Sequence, residues 1–256
     1  MKRIKVSRNE STKLRYDISL FTIPNIITLC NAFFGCLAVL SIFSGQTVWL
    51  PWMLGICLLA DFADGLVARL LKQSSPIGKE LDSLADVISF GFVPGAIYYL
   101  LLCKSLGLEE GFEFDNPNSY LPALGFVMTA FSALRLAKFN TDSRQTEHFI
   151  GLNTPANTIF TLGLLLTVEN NNLGLSQLLL NLPLLIFLIG LFSYLLISEI
   201  PIFSFKFKKL GWKGNEFRIV FLILAGAMLI ALPIGLAMMS CILLYVLSSF
   251  FMMLKK

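Results

Sequence analysis

Gly55-Ile56-Cys57-Leu58-Leu59-Ala60-Asp61-Phe62-Ala63-Asp64-Gly65-Leu66-Val67-Ala68-Arg69 ends a long apolar run with two carboxylates, and Gly78, Asp82 and Asp86 follow after eight intervening residues. Four carboxylates spaced D-x-x-D and D-x-x-x-D thus interrupt a chain that otherwise suits lipid. At three and four residues apart, each pair projects from one side of a helical turn. A carboxylate inside a bilayer costs roughly 2.5 to 3.5 kcal/mol, so four unpaired ones would cost on the order of 10 kcal/mol. A cationic group has to compensate, and divalent metal does so most economically.

The apolar setting extends in both directions from this stretch. No charged residue lies between Asp17 and Asp61, which is enough for two spans joined by Gly45-Gln46-Thr47. Over 256 residues, 56% are hydrophobic and only 14% charged, and the mean hydropathy is +0.76. Such a chain is expected to be an all-α, polytopic membrane helix bundle. Apolar sequence continues past the point where a cleavable signal peptide would end, so export of a soluble domain is not expected.

Spans are expected at residues 25–44, 48–71, 80–103, 119–140, 154–168, 176–198, 217–232 and 234–253, about eight transmembrane helices. The charge distribution supports this count. With the N-terminus inside, 19 of the 20 Lys and Arg residues fall on one side, leaving Lys104 on the other. Residues 1–23, with Lys2, Arg3, Lys5, Arg8, Lys13 and Arg15 beside a stripe of Leu14, Ile18 and Phe21, are expected to lie on the cytoplasmic face as an amphipathic segment. Both termini and the aspartates are then cytoplasmic, in a multi-pass protein of the cell membrane. Pro94, with Gly91 and Gly95, is expected to bend the third span and widen a cavity above the carboxylates.

Composition excludes several chemistries. His148 is the single histidine, which rules out histidine-rich metal sites and makes a carboxylate the expected general base. Cys30, Cys36, Cys57, Cys103 and Cys241 form no C-x-x-C pair and read as small buried hydrophobes. The net charge of +4 comes from scattered membrane-flanking residues, and no nucleic-acid partner is expected.

Asp61, Asp64, Gly65 and Ala68 fall within about 80° on a helical wheel, so the carboxylates share a face with residues that leave the backbone open to a bulky ligand. Gly78, Asp82 and Asp86 make a second stripe of this kind. Hard oxygen donors without soft ones suit Mg²⁺ or Mn²⁺, which usually bridge carboxylates to phosphate, so phosphoryl transfer is the implied class. Any single aspartate is equally explained as a helix cap or as the partner of Lys79 or Arg69. The conjunction of all four with Gly65, Ala68, Arg69 and Gly78 is not.

D-x-x-D-G-x-x-A-R, eight residues, then G-x-x-x-D-x-x-x-D resembles the signature of the CDP-alcohol phosphotransferases, and all eight signature positions are met. The resemblance implies membrane enzymes that displace CMP from a CDP-linked lipid or alcohol, with a six-helix catalytic core. It implies two divalent ions, Mg²⁺ or Mn²⁺, held by Asp61, Asp64, Asp82 and Asp86, with Asp86 as the catalytic base. Gly65, Ala68 and Gly78 would then make room for the nucleotide and Arg69 would hold it.

Further stretches resemble the bacterial and archaeal phosphatidylserine synthase branch. They are Pro24 to Asn31 with Gly35, Ala133 to Asn140, Phe149 to Ala156, and Ser198-Glu199-Ile200-Pro201 running on to Phe205-Lys206. This implies CDP-diacylglycerol and serine as substrates among bilayer lipids, a catalytic core over residues 24–206, a C-terminal transmembrane hairpin over residues 207–256, and a homodimer. Thr28 and Asn31 join the nucleotide-binding set, with helix–helix hydrogen bonding as the alternative. Arg135, Lys138 and Asn140 become the acceptor-binding set. Lys138 departs from the usual arginine and Asn153 from the usual proline; charge is kept at the first, but the two-pronged grip on a carboxylate is not. Read from the residues alone, Arg135 and Lys138 suit an acceptor carboxylate, a lipid phosphate or plain membrane anchoring. Glycerol 3-phosphate or an inositol phosphate as acceptor remains an alternative, and a cation or proton-coupled transporter is the alternative of a different class.

Overall fold

The computed structural model describes residues 20–108, 115, 117–142, 149–202 and 215–254. Most of the N-terminal segment expected to be amphipathic lies outside them, as do Arg144, Lys206, Lys208, Lys209, Lys213, Lys255 and Lys256.

Four helices begin with the same local device, a polar side chain capping the first turn and a proline just inside it. Thr22 accepts from Asn25 N at the start of α1 (Ile23–Phe43), and Ser75 accepts from Gly78 N at the start of α3 (Pro76–Asp86). Asn153 caps α6 (Thr154–Glu169) and Asn181 caps α8 (Leu182–Ile197) in the same way. A capping oxygen satisfies one free amide, and proline removes another that the helix could not use. Between the first two lies α2 (Leu50–Leu70). It ends where Lys72 takes a left-handed conformation, φ +55°, and Gln73 N bonds back to Ala68 O at 2.9 Å.

α3 continues through a π-helical turn at Val87–Phe92 into α4 (Val93–Leu106), giving 31 helical residues, longer than the 80–103 expected. This continuous helix is the centre of the bundle, since 72% of its most apolar stretch is buried against 28–39% for the three other helices that, among the described residues, are long and apolar enough to cross a membrane. Two of those are α1 and α2. The remaining elements are α5 (Val127–Thr141), the short α7 (Ser176–Leu179), α9 (Glu216–Ala231) and α10 (Ile234–Leu254). Leu182–Ile197 is apolar but shorter. β1 (Phe149–Ile150) and β2 (Pro201–Ile202) form a two-residue antiparallel pair beside α10.

Four expectations are corrected. The fourth span begins as 3-10 turns over Pro117–Tyr120 and Pro122–Phe126 before α5, and the sixth is broken at Leu180–Asn181 ahead of Pro183. Gly91 and Gly95 do not open a cavity. A Cβ on Gly91 would meet Ser132 Cβ at 3.0 Å, and one on Gly125 would meet Gly95 O at 2.8 Å, so these glycines let α5 and its preceding turn press against the central helix. Cys30 and Cys36 are exposed on α1 rather than buried.

Lipid is as apolar as leucine, so close backbone approach and dispersion hold such a bundle together. The ring centroids of Phe160 on α6 and Phe192 on α8 stack at 4.1 Å. α6 meets α10 at Gly163 and Gly235, where an added Cβ on either would fall under 3.0 Å from the other's carbonyl oxygen.

Candidate active site

α1 packs against both α2 and α3, and this brings the two aspartate stripes together. Carboxylate oxygens of Asp61, Asp64 and Asp82 lie within 4.8 Å of one another. Asp64 is buried, and its Oδ2 accepts from Thr28 Oγ1 at 2.5 Å. Asp82 Oδ1 is buried without a protein hydrogen-bond partner. Three converging hard oxygens, one of them an orphan, fit a divalent cation, and the trio could hold one. Asp86, one turn along α3, stands outside the trio. Its Oδ1 accepts from Asn31 Nδ2 at 3.3 Å.

Two cavities flank the carboxylates. The larger, about 390 Å³, is lined by Thr28, Asp64, Gly65, Ala68, Arg69, Gly78 and Asp82 together with Pro24, Asn25, Ser75 and Lys79. Five of the six residues expected to bind nucleotide line it, and a Cβ on Gly65 would meet nothing within 4 Å. The sixth, Asn31, is fully buried and lines neither cavity; it sits behind Asp86 as a hydrogen-bond donor. Arg69 lies at the exposed rim with its Nε donating to Gly65 O at 2.9 Å.

The smaller cavity, about 270 Å³, contains Asp61, Asp82 and Asp86 on one wall and Arg135, Asn140, Asn153 and Thr154 on the other. Arg135 is 7% exposed, donates from Nη1 to Thr154 Oγ1 at 3.4 Å, lies 5.6 Å from the Phe139 ring centroid, and has an Nε without a partner. A buried guanidinium with a spare donor facing a polar cavity is equipped for an anionic group. Lys138, grouped with Arg135 by sequence, does not line this cavity. Its Nζ donates to Ile197 O at 3.0 Å and pairs with Glu199 at 3.6 Å.

A sequence profile of the CDP-alcohol phosphatidyltransferase family matches residues 21–191. The chain belongs to that family. Over 139 residues it is 37% identical to the CDP-diacylglycerol–serine O-phosphatidyltransferase of Helicobacter pylori, covering 54% of each chain. The protein of that name from Saccharomyces cerevisiae is 33% identical over 54% of this chain and 51% of its own. The one from Bacillus subtilis is 32% identical over 52% of this chain and 69% of its own. The chain spans about half the length of the first two relatives. The matched region contains α1 to α6 and most of α8, so both cavities lie within it, whereas α9 and α10 lie beyond it.

Two features of the site escaped sequence reading. Lys79 shares with Asp82 the position between the cavities, and its Nζ donates to Asn140 O at 3.2 Å, while Asn140 Nδ2 donates to Ser83 Oγ at 2.8 Å. Its place next to Gly78, one residue past the signature glycine, was a signal, but it read as membrane-flanking charge. Asn153, a departure by motif, is the cap of α6 and lines the smaller cavity.

Proposed function

We propose that the chain transfers the phosphatidyl group of CDP-diacylglycerol to the hydroxyl of L-serine, giving phosphatidylserine and CMP. The observation that carries this reading is the convergence of Asp61, Asp64 and Asp82 between two cavities that share Asp82. The three relatives, each a CDP-diacylglycerol–serine O-phosphatidyltransferase by name, favour serine as acceptor.

In this reading the cytidine side of the donor occupies the larger cavity against Thr28, Gly65, Ala68 and Gly78, with Arg69 at its rim. The four aspartates would hold two divalent ions, Mg²⁺ or Mn²⁺, whose charge offsets that of the donor pyrophosphate and favours CMP as leaving group. Serine enters the smaller cavity with its carboxylate on Arg135, and Asn140 holds the mouth. Its hydroxyl loses a proton to Asp86, the new oxygen–phosphorus bond forms at the lipid-bearing phosphate, and the bond from that phosphorus to the CMP oxygen breaks. Lipid tails approach sideways from the bilayer, while serine and CMP exchange with the cytosol. In the same reading both termini and the site face the cytoplasm, residues 24–206 form the catalytic core, residues 207–256 form a transmembrane hairpin, and two copies assemble as a homodimer.

The test is an acceptor panel. Purified protein with CDP-diacylglycerol and Mn²⁺ is expected to release CMP with serine and to be slow with glycerol 3-phosphate and inositol phosphate. A better rate with either alternative overturns the serine assignment, and no CMP with any acceptor overturns the transferase reading.

A further inference from the structure

Asp86 is the last residue of α3, and the next six residues, Val87–Phe92, form the π-helical turn. Val93 N bonds to Ile88 O, five residues back rather than four. An α-helix advances about 100° per residue, so one residue accommodated in a wider turn changes the phase of everything before it by about that angle relative to everything after it. Upstream of the turn are Asp82 and Asp86 on the cavity walls; downstream is the wholly buried face of Val93, Ala96, Ile97 and Tyr98. The turn lets one continuous helix serve both demands.

Wide turns leave carbonyl oxygens short of helical donors, and in lipid such groups need other partners. Two neighbouring helices supply them. Thr129 Oγ1 of α5 donates to Gly91 O at 3.0 Å, and Thr158 Oγ1 of α6 donates to Phe90 O at 3.2 Å, sharing its proton with Thr154 O at 3.0 Å. On the other side, Gly35 of α1 comes so close that a Cβ there would meet Ser89 Cα at 3.0 Å. The wide turn is thus clamped from three helices immediately behind Asp86.

We propose that Thr129 and Thr158 are positioning residues. By satisfying the carbonyls of the wide turn they hold it open, and the open turn keeps Asp86 beside Asp61 and Asp82 in the lining of the smaller cavity that also contains Arg135. Pro94 has no N–H to offer Phe90 O four residues back, so removing both hydroxyls leaves buried carbonyls of the turn without these donors, and the turn shifts and carries Asp86 away from the cavity. The consequence for catalysis rests on the proposed role of Asp86 as base; the geometric claim does not.

Two measurements separate the two. With Thr129→Val/Thr158→Val, kcat is expected to fall about 10- to 100-fold while the KM for serine and for CDP-diacylglycerol stays within about twofold, because misplacing a reacting group costs turnover before it costs affinity. Thr129→Ser/Thr158→Ser, which restores both hydroxyls, is expected to recover most of the rate. Unchanged kcat, or no recovery with serine, overturns the proposal. The second measurement needs no activity: in a background lacking other cysteines, Asn31→Cys with Asp86→Cys is cross-linked by a short bifunctional thiol reagent, and adding the two valines is expected to slow the cross-link several-fold. An unchanged cross-linking rate overturns the geometric claim, even if wild-type protein released no CMP and the functional reading itself had failed.

Discussion

Thr28 Oγ1 donates to Asp64 Oδ2 at 2.5 Å, joining residues 36 apart in sequence on two antiparallel helices. The bond fixes one member of the carboxylate trio from outside the signature. A hydrogen bond to a charged group is worth about 1.5 to 3 kcal/mol, so Thr28→Val is expected to raise the Mn²⁺ concentration for half-maximal binding by roughly 10- to 100-fold. Thr28→Ser should bind Mn²⁺ like wild type. A titration of Mn²⁺ against the purified protein reads both.

Chelation is expected to silence CMP release, and Mg²⁺ or Mn²⁺ to restore it. Asp64→Asn, Asp82→Asn and Asp86→Asn should each abolish turnover. Asp86→Asn should spare Mn²⁺ binding more than Asp82→Asn does, because Asp86 stands outside the trio of Asp61, Asp64 and Asp82. Equal loss of binding in both variants would place Asp86 in the primary ligand set.

Arg135 and Lys138 are predicted to part company. Arg135→Ala removes the buried guanidinium of the smaller cavity and should raise the serine KM much more than that for CDP-diacylglycerol. Lys138→Ala loses a partly exposed ion pair with Glu199, worth about 0 to 1 kcal/mol, and should change the serine KM by no more than about fivefold. Initial rates over a serine series separate them.

Two glycines should fail in different ways. Gly65→Leu adds a side chain into open space at the larger cavity, so thermal stability in detergent should hold while CMP release falls. Gly163→Leu must push against Gly235 O and Met239 N, and is expected to lower the melting temperature itself. Thermal unfolding scans beside rate measurements distinguish the two.

Neither cavity is lined by a cysteine or histidine among the described residues, and Cys57, the thiol nearest in sequence, is buried with its Sγ 3.5 Å from Asn31 O. With the aspartates engaged as metal ligands or reserved as base in the proposed mechanism, a direct displacement is expected. Labelled CMP should not exchange into CDP-diacylglycerol when serine and product are both absent. Exchange there would reveal a covalent intermediate.

The helical membrane architecture was legible in one dimension because lipid imposes a composition and a length on each span, and a charged residue inside one stands out. Asp61, Asp64, Asp82 and Asp86 were legible for that reason, and Gly65, Ala68 and Gly78, which share helical faces with the carboxylates, line the larger cavity. What one dimension cannot carry is phase and packing between helices. Asn31 sits on the same helix as Thr28 and was grouped with it, yet it donates to Asp86 and lines neither cavity, because α1 packs against both helices that carry the aspartates. Lys138 is one helical turn from Arg135 and was grouped with it, yet it points to the segment after α8. Gly91 and Gly95 were read as room for a cavity and proved to be contact with a neighbouring helix. Periodicity and charge report how each helix meets lipid and water; which side chain meets which across the bundle follows from how closely the helices pack and where the π-turn shifts their phase, and that only the tertiary structure decides.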